Sequence, residues 1–187
     1  IHASFKIHLR AETVCKLSDE QIDKLKRAGV DIIGIGVESG LKKELKSYKK
    51  IASRDNCVTA VKRLYDTQNF YLVLGHMMFS PVLELDDLTD KINFLDQLGH
   101  CWDYLEMSNN VIIFPGTAYH DAMKRAGLTR DYESLATSVP YNFVDKRVEL
   151  VASEMGALKI AFPSVVELTN LLYDSQNILS RYRNPHN

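Results

Sequence analysis

The chain has 187 residues, of which 45% are hydrophobic and 25% charged, and its formal net charge is −1. This length suffices for one domain with a sizeable core, and no apolar run is long enough to span a bilayer. The near balance of charge gives no sign of a basic surface for DNA or for an anionic membrane, although a charge count does not reveal a local patch, such as one for RNA.

The first predicted elements are a strand, a helix and a second strand. Residues 5–9 favour a strand. Ser18 and Gln21 have the spacing of a capping box for a helix that ends at Gly29. The apolar run Val30–Val37 is typical of a parallel strand that is buried on both faces.

Strands and helices continue to alternate over the next part of the chain. The predicted elements are a short lysine-rich helix around residues 41–48, a helix capped by Ser53, a strand within 70–79, a helix over about 84–97, a strand within 104–114 and a helix over 118–126. Four strands that alternate with helices predict a parallel sheet that curls towards a barrel.

After residue 131 the pattern changes. Residues 139–145 predict an extra strand, and residues 146–182 predict a helical tail that breaks near Pro163. We therefore predict an α/β fold: a partial parallel (β/α) barrel, half to two thirds of a TIM-like barrel, over residues 1–131. Residues 132–187 form a helical C-terminal extension that packs on the barrel.

Two segments resemble a known family. One is Ala28–Gly40, which contains the sequence Gly-Val-Glu-Ser-Gly, and the other is the Pro-Gly-Thr turn within Phe114–Tyr119. Their order and spacing resemble the radical S-adenosylmethionine (SAM) enzymes, in the branch that often carries a cobalamin-binding domain. The resemblance covers roughly residues 5–131. It implies SAM and a [4Fe-4S] cluster as cofactors, and cobalamin in members with that domain.

The cluster motif of the family, CxxxCxxC, is absent from this sequence, whose cysteines are Cys15, Cys57 and Cys101. We expect the cluster ligands to lie upstream, so that this chain alone is inert and has no metal ligands. The alternative is a degenerate barrel that never held a cluster. The odd number and wide spacing of the cysteines argue against a disulfide framework, and without a signal peptide the cytoplasm is the expected compartment.

Three charged residues at predicted strand ends are candidate SAM ligands. Glu38 can accept hydrogen bonds from the ammonium or the ribose of SAM, or it can pair with a nearby lysine. The guanidinium of Arg10 matches a carboxylate such as that of the methionine part, and Glu12 is expected on the same face by strand alternation. A salt bridge of Arg10 with Glu12 or Glu38 is the structural alternative.

Four further residues complete the predicted cofactor site. Ser39 offers a hydroxyl beside Glu38, and Asn109 offers an amide for the ribose or the substrate. Met77 and Ile113 offer apolar contact with adenine, although such residues at strand ends also serve as plain core. The resemblance does not name the substrate, because one fold carries many reactions.

Two other functions fit the same pattern. A metal-dependent (β/α)-barrel lyase or isomerase would use Glu12, Glu38, His76 and Glu106 at the strand ends. A non-catalytic scaffold would instead use the exposed edge of the first strand for self-association or for a partner.

Overall fold

The computed structural model describes residues 4–99 and 104–182, with side chains throughout except at 105–106 and 176–182. Three parallel strands form its sheet: β1 (Phe5–Arg10), β2 (Val30–Glu38) and β3 (Tyr71–His76), in the order β1-β2-β3. The predicted α/β class with parallel strands is confirmed, and β2 lies in the middle as its apolar sequence indicates.

The helices of the described residues follow the predicted order with two additions. They are α1 (Ala11–Lys16), α2 (Asp19–Arg27), α3 (Lys42–Ser47), α4 (Arg54–Thr67), α5 (Leu85–Gln97), α6 (Tyr104–Ser108), α7 (Ala118–Arg125), α8 (Lys146–Ala161) and α9 (Pro163–Tyr182). Ser18 and Ser53 form the N-terminal caps of α2 and α4, each in a complete capping box. Helices α1 and α6 are the additions, and their six and five residues are too few to give a periodic signal.

One face of the sheet is covered by helices. The apolar residues that the strand register places on this face are Ile7, Leu9, Ile33, Ile35, Leu72 and Leu74. Against them pack Val14 of α1, Leu64 of α4 and Phe94 of α5, all of them 0% exposed. Each such side chain contributes about 1.5–3 kcal/mol through burial, so this layer is the main source of stability.

Closure of the sheet into a barrel is not confirmed, because the three strands form an open sheet within the described residues. The fourth strand predicted within 104–114 is wrong over most of its length: residues 104–108 form α6, and only Asn110 pairs with Phe79, in a single parallel bridge. The apolar run there is short, and Pro115 ends it because proline lacks an N–H.

The extra strand predicted at 139–145 is also reduced to a single bridge, an antiparallel one between Thr129 and Tyr141. Pro140 lies in the middle of this segment and has no N–H to donate to a ladder. Arg130 then binds the Tyr141 carbonyl from Nε, 2.9 Å away, in place of a neighbouring strand.

The predicted break of the helical tail is confirmed, with Pro163 as the first residue of α9 and a bend of 95° between α8 and α9. Val148 of α8 packs into a cluster with Phe79, and Tyr173 of α9 donates a hydrogen bond to the Leu72 carbonyl at 2.7 Å. The division at residue 131 stays a prediction. No single described helix has both the length and the apolar composition to cross a membrane, although the bent pair α8–α9 meets both conditions together.

Candidate functional site

A pocket of about 200 Å³ lies where β1 and β2 end. The polar side chains and the thiol that line it are those of Arg10, Glu12, Glu38, Tyr48, Lys49, Lys50 and Cys57. The parallel register pairs Arg10 with Gly36, two residues before Glu38, and this pairing brings residues that are distant in the chain to one corner of the sheet. Three of the seven predicted site residues, Arg10, Glu12 and Glu38, therefore line one pocket.

Glu38 has an unusual backbone conformation. Its φ of 53° lies in the left-handed region, and the ladder with β3 shifts register between Gly36 and Glu38. A non-glycine residue in this region is strained, which is a feature of functional sites. A Cβ atom at Gly36 would lie 2.9 Å from Oε1 of Glu38, so the glycine leaves the space that this carboxylate occupies.

The Glu38 carboxylate is paired on one side only. Its Oε1 accepts a hydrogen bond from Lys50, which lies in the loop after α3. Within the part of the chain that the structure describes, its Oε2 has no hydrogen-bond partner. This is the lysine pairing expected as the structural role of Glu38, and it leaves one oxygen for a ligand.

Arg10 is only loosely held. Its Nη1 lies 3.8 Å from Oε1 of Glu12, and 77% of its side chain is exposed. Such an exposed pair adds little stability, so the guanidinium can exchange it for a ligand carboxylate. Glu12 reaches the pocket from the first turn of α1; the expectation that strand alternation places it there is wrong, because β1 ends at Arg10.

Ser39, although adjacent to Glu38, does not line the pocket. It is 0% exposed, and its Oγ donates to Oε2 of Glu44 at 2.5 Å while it accepts from the N–H of Leu41 at 3.1 Å. The same Glu44 oxygen accepts from Nζ of Lys91 at 2.6 Å, and both charged side chains are 0% exposed. The hydroxyl is thus committed to a buried ion pair.

This buried pair is packed by the turn that leaves β2. A Cβ atom at Gly40 would lie 2.3 Å from the Phe94 ring. Only glycine at position 40 therefore lets the turn approach α5 this closely. Burial lowers the pKa of Lys91, and the Glu44 carboxylate opposes that shift by favouring the charged ammonium. Tyr48, which lines the pocket, donates to Oε1 of Glu44 at 3.0 Å.

The other three predicted site residues do not line the pocket, although the N–H of Met77 donates to the Glu38 carbonyl at 2.8 Å. Met77 is half-buried and packs with Ile113, which is 1% exposed and belongs to a separate apolar cluster. The side-chain amide of Asn109 donates to the His76 carbonyl at 3.3 Å, and the backbone carbonyl of Asn109 accepts from the N–H of Phe79 at 2.9 Å. Their roles as SAM ligands stay predictions.

His76 is the end of β3 and is 2% exposed. Within the described residues neither of its ring nitrogens has a hydrogen-bond partner. Burial, together with the nearby charge of Lys91, lowers the pKa of the imidazole to about 3, so the ring stays neutral at physiological pH. It does not line the pocket.

The described residues give no support to a metal centre. Among the residues that the structure describes, no group of three or more His, Cys, Asp or Glu side chains can hold a metal ion. Burial raises the pKa of the Cys57 thiol to about 12, which disfavours the thiolate that metals and clusters bind. The side chain of Glu106, named for the lyase or isomerase alternative, lies outside the described residues.

Three residues near this corner were not singled out from the sequence. The sequence places Tyr48 on the apolar side of the short lysine-rich helix and Lys50 on its solvent-facing side, but both line the pocket. Lys91 is the third, and its signal was present, because it lies three residues after Leu88 and shares the buried stripe of α5.

Comparison with known proteins gives a partial match to a curated protein and a fold match to solved structures. No family model matches the chain. The 4'-phospho-dehydrooxetanocin synthase of Priestia megaterium is 37% identical over 71 residues, which are 37% of this chain and 9% of that protein.

Two solved structures of the cobalamin-dependent S-adenosylmethionine radical enzyme OxsB match 96% of this chain, each with a TM-score of 0.65. One is an apo form at 20% identity, and the other, at 18% identity, has aqua-cobalamin and S-adenosylmethionine bound. These identities show the fold alone. The resemblance to cobalamin-dependent radical SAM enzymes is confirmed for a segment that spans 34% of the solved chains.

Proposed function

We propose that this chain forms part of a radical SAM enzyme, and that the pocket of Arg10, Glu12 and Glu38 holds one end of SAM. The observation that carries the proposal is the convergence of an exposed guanidinium and a half-paired, strained carboxylate at the ends of neighbouring parallel strands. This edge of a parallel sheet is where such folds bind ligands.

The chemistry of the pocket matches the polar end of SAM. The Arg10 fork can donate two parallel hydrogen bonds to the methionine carboxylate. The free oxygen of Glu38 can accept from the ammonium or from the ribose hydroxyls. At about 200 Å³ the pocket is smaller than typical ligand cavities of about 300–1,000 Å³. It therefore accommodates part of the molecule, and the remainder extends along the open face of the sheet.

Arg10, Glu12 and Glu38 would hold the polar end of SAM, and SAM next to a reduced [4Fe-4S] cluster would supply the chemistry of hydrogen abstraction from a substrate. The residues described here bind and orient SAM and do not hold that cluster. We propose that its ligands, and a separate domain for cobalamin, belong to a longer protein. This chain alone is then inert, and we propose the cytoplasm as its compartment. An as-purified sample with stoichiometric iron and sulfide would contradict the inert state.

The test is direct binding of SAM to this chain by isothermal titration calorimetry. Substitution Glu38→Gln removes the charge and keeps the shape, and we expect about tenfold weaker binding because a charge-assisted hydrogen bond is lost. Glu154→Gln is the matched control, since Glu154 is an exposed residue of α8, far from the pocket in sequence. Absence of saturable SAM binding, or equal loss in both variants, would overturn the proposal.

One observation favours the scaffold alternative. β1 is an edge strand of the described sheet, and Phe5 at its start is 51% exposed. Unpaired edges of this kind pair with other strands. Light scattering distinguishes the two functions, because a strict monomer at high concentration contradicts self-association through β1 and leaves the SAM pocket unaffected.

A further inference from the structure

A second, larger cavity lies beside the candidate site. Its volume is about 570 Å³, and it is bounded by α3 and by the beginning of α4. Leu45, Lys50, Ile51 and Ala52 line both this cavity and the candidate SAM pocket. The two volumes are therefore separated only by a shared wall, in which Lys50 holds Glu38.

The charge of this cavity is strongly one-sided. Lys42, Lys46, Lys50 and Arg54 line it, and the one carboxylate among its lining residues is that of Asp55. A concave surface with one sign of charge concentrates ions of the opposite sign. The chain as a whole has a net charge of −1, so this concentration of positive charge is local.

The lysines that face the cavity differ from their neighbour on the same helix. Lys43 points elsewhere and forms an ion pair with Asp87 at 2.5 Å. Within the described residues, Lys42 and Lys46 have no carboxylate at ion-pair distance. A helix face that served only for solubility would give no reason for the unpaired ammonium groups to surround a cavity.

Backbone donors add to the same surface. Helix α4 has 14 residues, and its capping Ser53 satisfies the N–H of Asn56, at 3.2 Å. The N–H groups of Arg54 and Asp55 precede it and have no partner within the described residues, and both residues line the cavity. Free N–H groups at the start of a helix favour an anion, here as a supplement to the four cationic side chains.

We propose that this cavity binds the phosphate group of a small phosphorylated substrate, whose remaining part contacts the wall of Leu45, Ile51 and Ala52 that the cavity shares with the candidate SAM pocket. Lysine ammonium groups and helix N–H groups together suit the several acceptor oxygens of a phosphate. The volume falls within the range of small-molecule cavities, which favours a metabolite over a nucleic-acid strand. The role as substrate rests on the proposed function, whereas the binding of phosphate does not.

The experiment measures binding of ribose 5-phosphate, ribose and inorganic phosphate to this chain at constant ionic strength. The double variant Lys42→Gln/Lys46→Gln removes two cations from the cavity. Its matched control is Lys62→Gln/Lys159→Gln, which removes two charges from exposed positions on α4 and α8. We expect about tenfold weaker binding of ribose 5-phosphate in the first variant and no change in the second, with no binding of ribose.

Several outcomes would overturn the proposal. Equal binding by both double variants, or no saturable binding of ribose 5-phosphate, would show that Lys42 and Lys46 only form a solvated helix face and bind no anion. Inorganic phosphate that binds as tightly as ribose 5-phosphate would assign the cavity to the free anion. A single-stranded oligonucleotide that binds more tightly, with the same dependence on Lys42 and Lys46, would assign it to nucleic acid.

The same samples separate this proposal from the proposed function. Glu38→Gln is expected to weaken SAM binding and to leave binding of ribose 5-phosphate unchanged. If SAM fails to bind and the phosphate still depends on Lys42 and Lys46, the anion site stands and the SAM role is wrong. If SAM binds and neither ribose 5-phosphate nor inorganic phosphate does, the SAM role stands and the anion site is wrong.

Discussion

Two groups of charged residues flank the end of β2, and their environments are opposite. The open cluster, Arg10, Glu12, Glu38 and Lys50, faces the candidate pocket, and its side chains are 77%, 21%, 22% and 42% exposed. The sealed cluster consists of Ser39, Glu44 and Lys91, and Ser39 and both members of the ion pair are 0% exposed. Glu38 and Ser39 are adjacent in sequence yet belong to different clusters.

The difference teaches that solvent access, and not residue type, separates groups that can bind a ligand from groups that hold the fold. Charges in the open cluster are screened by water, so they can exchange one partner for another at little cost. Charges in the sealed cluster have lost their hydration, and each depends on the other for compensation. The sealed cluster fixes the turn at residues 39–45, and with it the start of the loop that carries Lys50.

The largest effect is expected from breaking the sealed pair. Glu44→Gln leaves Lys91 buried without a counter-charge, and we expect the free energy of unfolding to fall by about 3–5 kcal/mol. Urea denaturation measures this loss. The open cluster provides the control, because Glu12→Gln removes a partly exposed charge and is expected to cost less than about 1 kcal/mol.

The double variant Glu44→Leu/Lys91→Met provides a second test of this prediction. Replacing both charges by apolar groups is expected to recover most of the lost stability, since no uncompensated charge remains. A Glu44→Gln variant as stable as Glu12→Gln would show that water reaches the buried pair and that the two clusters do not differ.

An intermediate effect is expected from pH, because His76 lies close to the sealed cluster. The folded protein keeps the ring neutral down to a pKa of about 3, whereas the unfolded chain takes up a proton near the ordinary histidine value of about 6.5. The free energy of unfolding therefore falls as the pH drops below about 6.5, by about 2 kcal/mol at pH 5.

Urea denaturation at pH 7.5 and pH 5 checks this contribution. His76→Leu is expected to lose about 2 kcal/mol less than the unmodified chain over that interval. His8→Leu is the matched control, since it replaces an exposed histidine of β1 by the same residue. Identical pH dependence in the His76→Leu variant would show that the ring is hydrated.

The smallest effect concerns the backbone of the open cluster. Glu38→Gly and Glu38→Ala both delete the carboxylate, but only glycine adopts a φ of 53° without strain. We expect the glycine variant to be more stable than the alanine variant by about 1 kcal/mol, by urea denaturation, while both lose SAM binding. Equal stabilities would show that the turn relaxes and that Glu38 stores no strain.

Much of the fold was predictable because local signals agreed with the tertiary structure. The capping boxes at Ser18 and Ser53, the apolar run of β2 and the break at Pro163 each gave the correct element. The prediction failed at residues 104–114 and 139–145, where short apolar runs next to proline resembled strands. A strand needs a neighbour with matching free backbone groups, and no local pattern reports whether that neighbour exists.

The site was predictable to the extent that strand ends share one edge. That rule placed Arg10 and Glu38 together, but it did not show that Ser39 turns inward or that Lys50 folds back on Glu38. Helix α5 gives the same lesson, since the apolar side chain of Ile92 is 45% exposed while the charged Lys91 is buried. Lys91 and Ile92 are neighbours on the helix, so a rotation of the helix by one residue would exchange which of the two is buried.

The sequence by itself determined the order of the three strands, their parallel sheet and the resemblance to radical SAM enzymes, because all three follow from periodicity and from short motifs. Only the tertiary structure decided which charges face water, because exposure depends on contacts such as that between Gly40 and Phe94, 54 positions further along the chain. The free energy of a charge is set by its surroundings, and these come from parts of the chain that no local pattern connects.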